Sequence, residues 1–158
     1  MRRSFVTLLC LAAAFYSTVS RAEESVTEGI KKQAAPILYA LKLLGTPYKF
    51  GGNNPDKGVD CSGLVRHVYK QTENIDLPHS AKAISQNGEA VDKEALKPGD
   101  LVFFNTLKKP FSHVGIYAGD GKFIHASSRR EKQVTVSSID DSYWAKRFSG
   151  ARRIAQPE

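Results

Sequence analysis

Asp60-Cys61-Ser62-Gly63-Leu64-Val65-Arg66-His67-Val68-Tyr69 is the stretch from which the rest of the chain is read. Leu64, Val65, Val68 and Tyr69 form one apolar stripe at helical spacing, and Asp60 just before them is a good N-cap, so a helix is predicted to begin at Cys61. A thiol in the first turn meets the positive end of the helix dipole and several unpaired backbone N–H groups. Both favour thiolate, so the expectation is a pKa well below that of a free cysteine. The bland alternative is a small apolar core residue.

Upstream, residues 45–58 contain four glycines and two prolines and read as a loop. Before it, Ile30, Ala34, Ile37, Leu38, Leu41 and Leu44 recur at three and four, which predicts an amphipathic helix between Val26 and Leu44. Pro36 is its awkward residue, so the regular helix is placed from about Pro36, with 28–35 as a looser approach. Downstream, Ser80 caps a short third helix that runs through Ser85. From Leu96 the texture changes to strands: Leu101–Asn105, Val114–Ala118, Lys122–Ala126, and more weakly Val134–Val136 and Ala151–Ile154. Helices first and strands later predict an α+β domain, its N-terminal helices packed on an antiparallel β-sheet.

Gly119-Asp120-Gly121 is a strong hairpin signal between two strands that each carry a histidine. A two-residue turn at Asp120-Gly121 would set His125 opposite Ile116 and turn it away from His113. A three-residue loop, Gly119–Gly121, sets His125 opposite Gly115, on the face of His113 and diagonal to it. Diagonal neighbours lie about 7–8 Å apart, close enough for two imidazoles to share a hydrogen bond or a water. If both histidines work in one site, the three-residue register is required, and Gly115 between them leaves space for a ligand or a helix end. His67 and His79 read as ordinary structural or surface residues.

The chain has 158 residues, 41% hydrophobic and 25% charged, which excludes a disordered tail or a disulfide scaffold and suits one domain at roughly 100–200 residues each. Met1-Arg2-Arg3, an apolar run from Phe5 to Tyr16, and the small residues of Ser20-Arg21-Ala22 read as a signal peptide over 1–22, followed by a lead segment, 23–35, and a domain over 36–158. The apolar run is too short to span a bilayer, and no later stretch is apolar enough. Cleavage would remove Arg2, Arg3, Arg21 and Cys10, taking the net charge from +7 to +4 and leaving Cys61 as the single cysteine in an oxidising compartment. The basic clusters Lys108-Lys109, Arg129-Arg130-Glu131-Lys132 and Arg152-Arg153 lack interleaved aromatics, so no nucleic-acid partner is expected.

Asp60-Cys61-Ser62-Gly63-Leu64-Val65, Lys97-Pro98-Gly99-Asp100-Leu101-Val102-Phe103-Phe104, Ser112-His113-Val114-Gly115-Ile116-Tyr117 and Ile124-His125-Ala126 follow one another in order. With the upstream Tyr48-Lys49-Phe50-Gly51-Gly52, they resemble the NlpC/P60 family of cell-wall cysteine peptidases from about Ile37 to Ile154. The resemblance implies a papain-like fold, with Cys61 as nucleophile, His113 as general base and His125 as the third polar position that orients the base. Tyr48 corresponds to a tyrosine beside the nucleophile that helps hold the oxyanion. Asp60 and Ser62 are further candidates to touch substrate, although helix capping is the simpler role for Asp60. Many relatives carry an arginine where His79 stands. The implied chemistry is self-consistent: thiolate attack needs a base at hydrogen-bond distance, a third group that fixes its tautomer, and donors for the developing oxyanion.

The resemblance further implies an exported, periplasmic or secreted peptidoglycan endopeptidase acting on stem peptides. The target would be the D-glutamyl to diaminopimelate bond within a stem or the D-alanyl to diaminopimelate crosslink, cleaved through an acyl-enzyme. No cofactor, metal or wall-binding module is expected; a monomer is expected, with a protein regulator as a possible partner. The alternatives are a non-catalytic peptidoglycan-binding protein with the same fold and a thiol acyltransferase. A zinc site from Cys61, His113 and His125 has sensible ligand types but no close paired spacing.

Overall fold

The structure is a computed structural model, and it describes residues 21, 23–31, 34–129 and 131–155. The proposed signal peptide lies outside the described residues except at Arg21. The chain divides into two compact units between Gln33 and Ala34. In the first, residues 23–31 are helical, with Val26 and Ile30 exposed and an exposed Lys31–Glu28 ion pair of 3.3 Å.

The second unit holds helix α1 (34–42) and a small ribbon of β1 (Asn53–Asn54) and β2 (Gly58–Val59). Helix α2 (Cys61–Glu73) and a single turn, α3 (Ala81–Ile84), follow. A sheet is then built from β3 (Glu89–Val91), β4 (Leu101–Phe104), β5 (His113–Gly119), β6 (Lys122–Ala126), β7 (Val134–Ser138) and β8 (Phe148–Arg153). A short turn, α4 (Ser142–Ala145), precedes β8. The six strands are ordered β3-β8-β4-β5-β6-β7 and every pair is antiparallel, so the α+β architecture is as predicted.

Strand alternation gives the sheet two buried faces. Leu101, Phe103, Val114, Ile116, Ile124 and Ala126 pack with Leu64, Val65, Val68 and Tyr69 of α2 in one core. Val102, Phe104, Phe123 and Ala151 face the other way, where Trp144 and Phe148 cover them. The apolar stripe of α2 therefore does what its spacing predicts.

Helix α1 corrects the sequence reading in two respects. Its helical run includes residues 34 and 35, ahead of Pro36, and residues 28–31, where a looser approach was expected, are also helical. Proline in a first turn costs little, because the N–H it lacks would have had no partner there. The predicted stripe also points inward only in part, at Ile37. Leu38, Leu41 and Leu44 are 57%, 39% and 44% exposed, whereas Pro36, Ala40 and the partly buried Ile37, Tyr39 and Leu43 face the core. The loop at 45–58 contains the β1–β2 ribbon, and β3 pairs with β8 although no strand signal marked it.

The Lys97-Pro98-Gly99-Asp100 turn is locked by one carboxylate. Asp100 is 2% exposed. It accepts from Lys97 N at 2.7 Å and from both forks of the Arg153 guanidinium, Nε at 2.8 Å and Nη2 at 2.7 Å. Tyr69 of α2 donates its hydroxyl to the Gly99 carbonyl, so the same turn anchors the helix to the sheet. Asp100→Ala would leave the partly exposed Arg153 guanidinium and the Lys97 N–H without their shared acceptor. It is expected to cost about 1 kcal/mol of stability, read as a lower urea midpoint with an unchanged slope.

Candidate functional site

The site begins with the Asp60 side chain. Oδ1 accepts from Gly63 N at 2.7 Å, capping α2, and from Ser62 Oγ at 2.9 Å, while His79 Nε2 lies 3.2 Å away. Oδ2 accepts from Gly51 N at 3.0 Å. One carboxylate thus holds both the start of α2 and the glycine loop behind it. The approach is close: a Cβ on Gly63 would lie 2.0 Å from the Gly52 carbonyl oxygen, so only glycine fits. Ser62 is buried, with its hydroxyl committed to Asp60.

Cys61 is partly exposed at the first position of α2. Its thiol is within reach of the Val114 backbone N–H, next in the chain to His113, so the helix start meets the beginning of β5. Burial pushes the Cys61 thiol up to about 11, and the charge of Asp60 adds to this. The N–H groups of Val114, Ser62 and Cys61 pull the other way and are outweighed. The expected depressed pKa is therefore not found, because loss of water around the sulfur is larger than the help of the helix start. Tyr48 flanks this thiol; burial, then the charges of Cys61 and Asp60, raise its own pKa.

His113 and His125 are 7% and 1% exposed, and His113 Nε2 lies 2.9 Å from His125 Nδ1. Their register combines the two alternatives weighed from sequence. The tip closes as a two-residue turn, Gly119 opposite Lys122, with positive φ at both Asp120 and Gly121. A bulge between Tyr117 and Gly119 then shifts the pairing by one, so that Tyr117 faces Phe123 and Ile116 faces Ile124. Continued along the strands, this register sets His125 opposite Gly115. Gly115 leaves no space for a ligand, contrary to expectation: a Cβ there would lie 2.6 Å from Phe123 Cδ2 and 3.2 Å from His125 Cβ.

Two residues that sequence reasoning did not single out complete the arrangement. Ser137 Oγ on β7 lies 3.0 Å from His125 Nε2. Trp144 stands 5.4 Å from His113 and 4.9 Å from His125 between ring centroids. Burial, then the neighbouring His125, press His113 down to about 3; burial alone takes His125 to about 3. Both rings are therefore neutral at pH 7, and the polar chain from His113 through His125 to Ser137 orders their tautomers. If His113 donates from Nε2, His125 accepts on Nδ1 and donates from Nε2 to Ser137, which leaves His113 Nδ1 unprotonated. His67 pairs instead with the Tyr39 hydroxyl at 3.2 Å. Among the described residues, no three His, Cys, Asp or Glu side chains converge in a way that could hold a metal. Nor is any described helix long and apolar enough to cross a membrane.

A thiol at a helix start, reaching the strand backbone next to a buried histidine pair on an antiparallel sheet, defines the class of site. The sequence pattern of the NlpC/P60 family matches residues 45–153, and the chain belongs to that family. It is 49% identical over 116 residues to Gamma-DL-glutamyl hydrolase of Bacillus subtilis (strain 168), covering 73% of this chain and 28% of that protein. It is 39% identical over 121 residues to Murein DD-endopeptidase MepH of Escherichia coli (strain K12), covering 75% and 44%. Among solved structures, an NlpC/P60 family protein from Bacillus cereus ATCC 10987 superposes with a TM-score of 0.72 at 36% identity, covering 79% of this chain and 40% of that one. The chain thus spans less than half the length of each of these relatives.

Two outcomes follow from this geometry. Alkylation of Cys61 by iodoacetamide is expected to be slow at pH 7 and to rise about tenfold per pH unit toward a limit near 11; a rate already level between pH 5 and 8 would mean a resting thiolate. Gly115→Ala must displace Phe123 or His125. It is expected to cost about 2 kcal/mol in urea unfolding and to shift the ring proton resonances of both histidines.

Proposed function

We propose that this protein is an exported peptidoglycan endopeptidase that hydrolyses an amide to a diaminopimelyl residue, in the D-glutamyl linkage of a stem or the D-alanyl crosslink between stems. The observation that carries the reading is that the Cys61 thiol, at the start of α2, reaches the Val114 N–H next in the chain to His113, whose ring is hydrogen-bonded to His125 on β6. Peptide-bond cleavage through a thiol needs these groups in this order: nucleophile, base, orienting partner. Further support comes from the relatives, one a γ-DL-glutamyl hydrolase and one a murein DD-endopeptidase. The organisation proposed with it is a signal peptide over 1–22, a lead segment over 23–35 and a catalytic domain over 36–158, with the periplasm as the place of action.

In the proposed reaction, His113 Nδ1 takes the Cys61 proton as Sγ attacks the carbonyl carbon. Because thiol and imidazole are both neutral at rest, proton transfer accompanies attack instead of preceding it. His125, held by Ser137, accepts from His113 Nε2 and stabilises the imidazolium that forms. The oxyanion meets the Cys61 N–H and the Tyr48 hydroxyl. The C–N bond then breaks, the leaving amine receives the proton from His113, and a thioester remains on Cys61. Water adds to the thioester with His113 again as base; the carboxylate product leaves and the proton returns to Sγ.

Purified peptidoglycan digested with the wild-type protein is expected to release muropeptides, identified by mass, that reveal which bond is cut. Cys61→Ala should release none while still binding the wall. Equal binding by both proteins and cleavage by neither, under reducing conditions and across neutral pH, would overturn the reading in favour of a binding protein.

A further inference from the structure

A cavity of about 440 Å³ is lined by residues from the end of β4, the loop after it, the loop after β6 and the turn α4. Four of its side chains are cations, Lys108, Arg129, Lys146 and Arg147, and the others, Asn105, Thr106 and Tyr143, are neutral. Among the described residues no carboxylate lines it, and no ion pair involves any of the four cations. Two of the cations are held in place on Tyr143. The Arg147 guanidinium lies 3.9 Å over the ring and donates from Nη1 to the Tyr143 carbonyl oxygen at 2.9 Å. Arg129 Nη1 donates to the Tyr143 hydroxyl at 3.3 Å, which leaves that hydroxyl its own proton to donate. The bond from Asn105 N to the Arg147 carbonyl oxygen, 2.7 Å, fixes the turn to the end of β4. Like charges gathered in one cavity repel each other, and a bound anion relieves that repulsion.

The charge count selects the class of anion. A single carboxylate would leave most of the four cations unanswered. A phosphate group carries about −1.5 to −2 at pH 7 and three strong acceptor oxygens, so two joined groups come close to answering all four. Guanidinium forks grip such oxygens in pairs, and lysines meet them as point charges. A nucleic-acid base has no stacking platform here, because Arg147 covers a face of the Tyr143 ring and Trp144 stands against it at 88°, 5.0 Å between centroids. We infer that this cavity is a binding site for a diphosphate group, either free or at the end of an ester. The site is separate from the proposed reaction, since none of Cys61, His113 and His125 lines it and the amide to be cut carries no phosphate. It shares Thr106, Arg129 and Tyr143 with the neighbouring cleft that His113 and His125 line, so a diphosphate bound here stands next to the histidine pair.

Calorimetry with the full chain tests the site. Inorganic pyrophosphate is expected to bind about tenfold more tightly than orthophosphate or than succinate, which carries two carboxylates. Lys108→Ala with Lys146→Ala should weaken pyrophosphate about tenfold. Arg147→Lys should weaken it too, because an ammonium reproduces neither the fork nor the stacking on Tyr143. Lys42→Ala with Lys82→Ala, at exposed positions outside the cavity, changes the net charge equally and should leave the affinity as it was. Equal losses in the two double variants, succinate binding as tightly as pyrophosphate, or no binding of pyrophosphate would overturn the site. Geranyl diphosphate separates the two sources: affinity equal to that of pyrophosphate assigns the site to an esterified diphosphate, and binding of pyrophosphate alone assigns it to the free ion. Binding is read without turnover, so failure here leaves the proposed hydrolysis standing, and absence of hydrolysis leaves the diphosphate site standing.

Discussion

The Asp60 carboxylate is the constraint on which the site depends. A helix start needs an acceptor for its first N–H groups, and a glycine-rich loop needs something to hold its shape; here one side chain answers both needs. Gly63 admits the Gly52 carbonyl at a distance no side chain would allow, and separating loop from helix would break the bond from Gly51 N to Asp60 Oδ2. The start of α2 that carries Cys61 is thereby held against the glycine loop by backbone contacts, which leaves this part of the site little freedom to lose when a substrate arrives.

Desolvation decides the electrostatics. The helix start and three backbone N–H groups favour a thiolate at Cys61, but burial acts on both Cys61 and His113 in the sense that favours neutrality. Under the proposed mechanism this places charge separation in the transition state, where His125 and Ser137 are already aligned to receive it. The same burial ties proton uptake to unfolding. Between the ordinary histidine pKa of 6.5 and the folded value of about 3, the unfolded chain binds protons that the folded one refuses, so stability falls as the pH falls through that window.

Local signals made much of this legible. The Asp60 cap, the apolar stripe of α2 and the strand–turn–strand of the hairpin are set by contacts within a few residues, and they appear where the sequence places them. Ser137 and Trp144 were not legible, because their value comes from which strand lies beside β6 and which turn covers its outer face; neither has a signature in its own neighbourhood. The α1 error has another source. Leu38, Leu41 and Leu44 repeat as well as Pro36, Ala40 and Leu43 do, and only the partner surface selects between two stripes of equal period. Strand β3 is held by pairing with β8 and by little in its own composition.

The bulge before the hairpin tip carries a consequence for how this chain tolerates change in length. Side chains on a strand alternate with a period of two, so a residue gained or lost within either strand exchanges the face of every side chain beyond it. Loss of the bulged residue, Ala118, does not: it leaves a two-residue turn on a regular ladder, with Tyr117 still opposite Phe123 and both histidines on one face. Changes of length at this tip are therefore absorbed by the bulge and the turn, and the faces on which the two rings stand are held by the pairing of Ile116 with Ile124 beneath them.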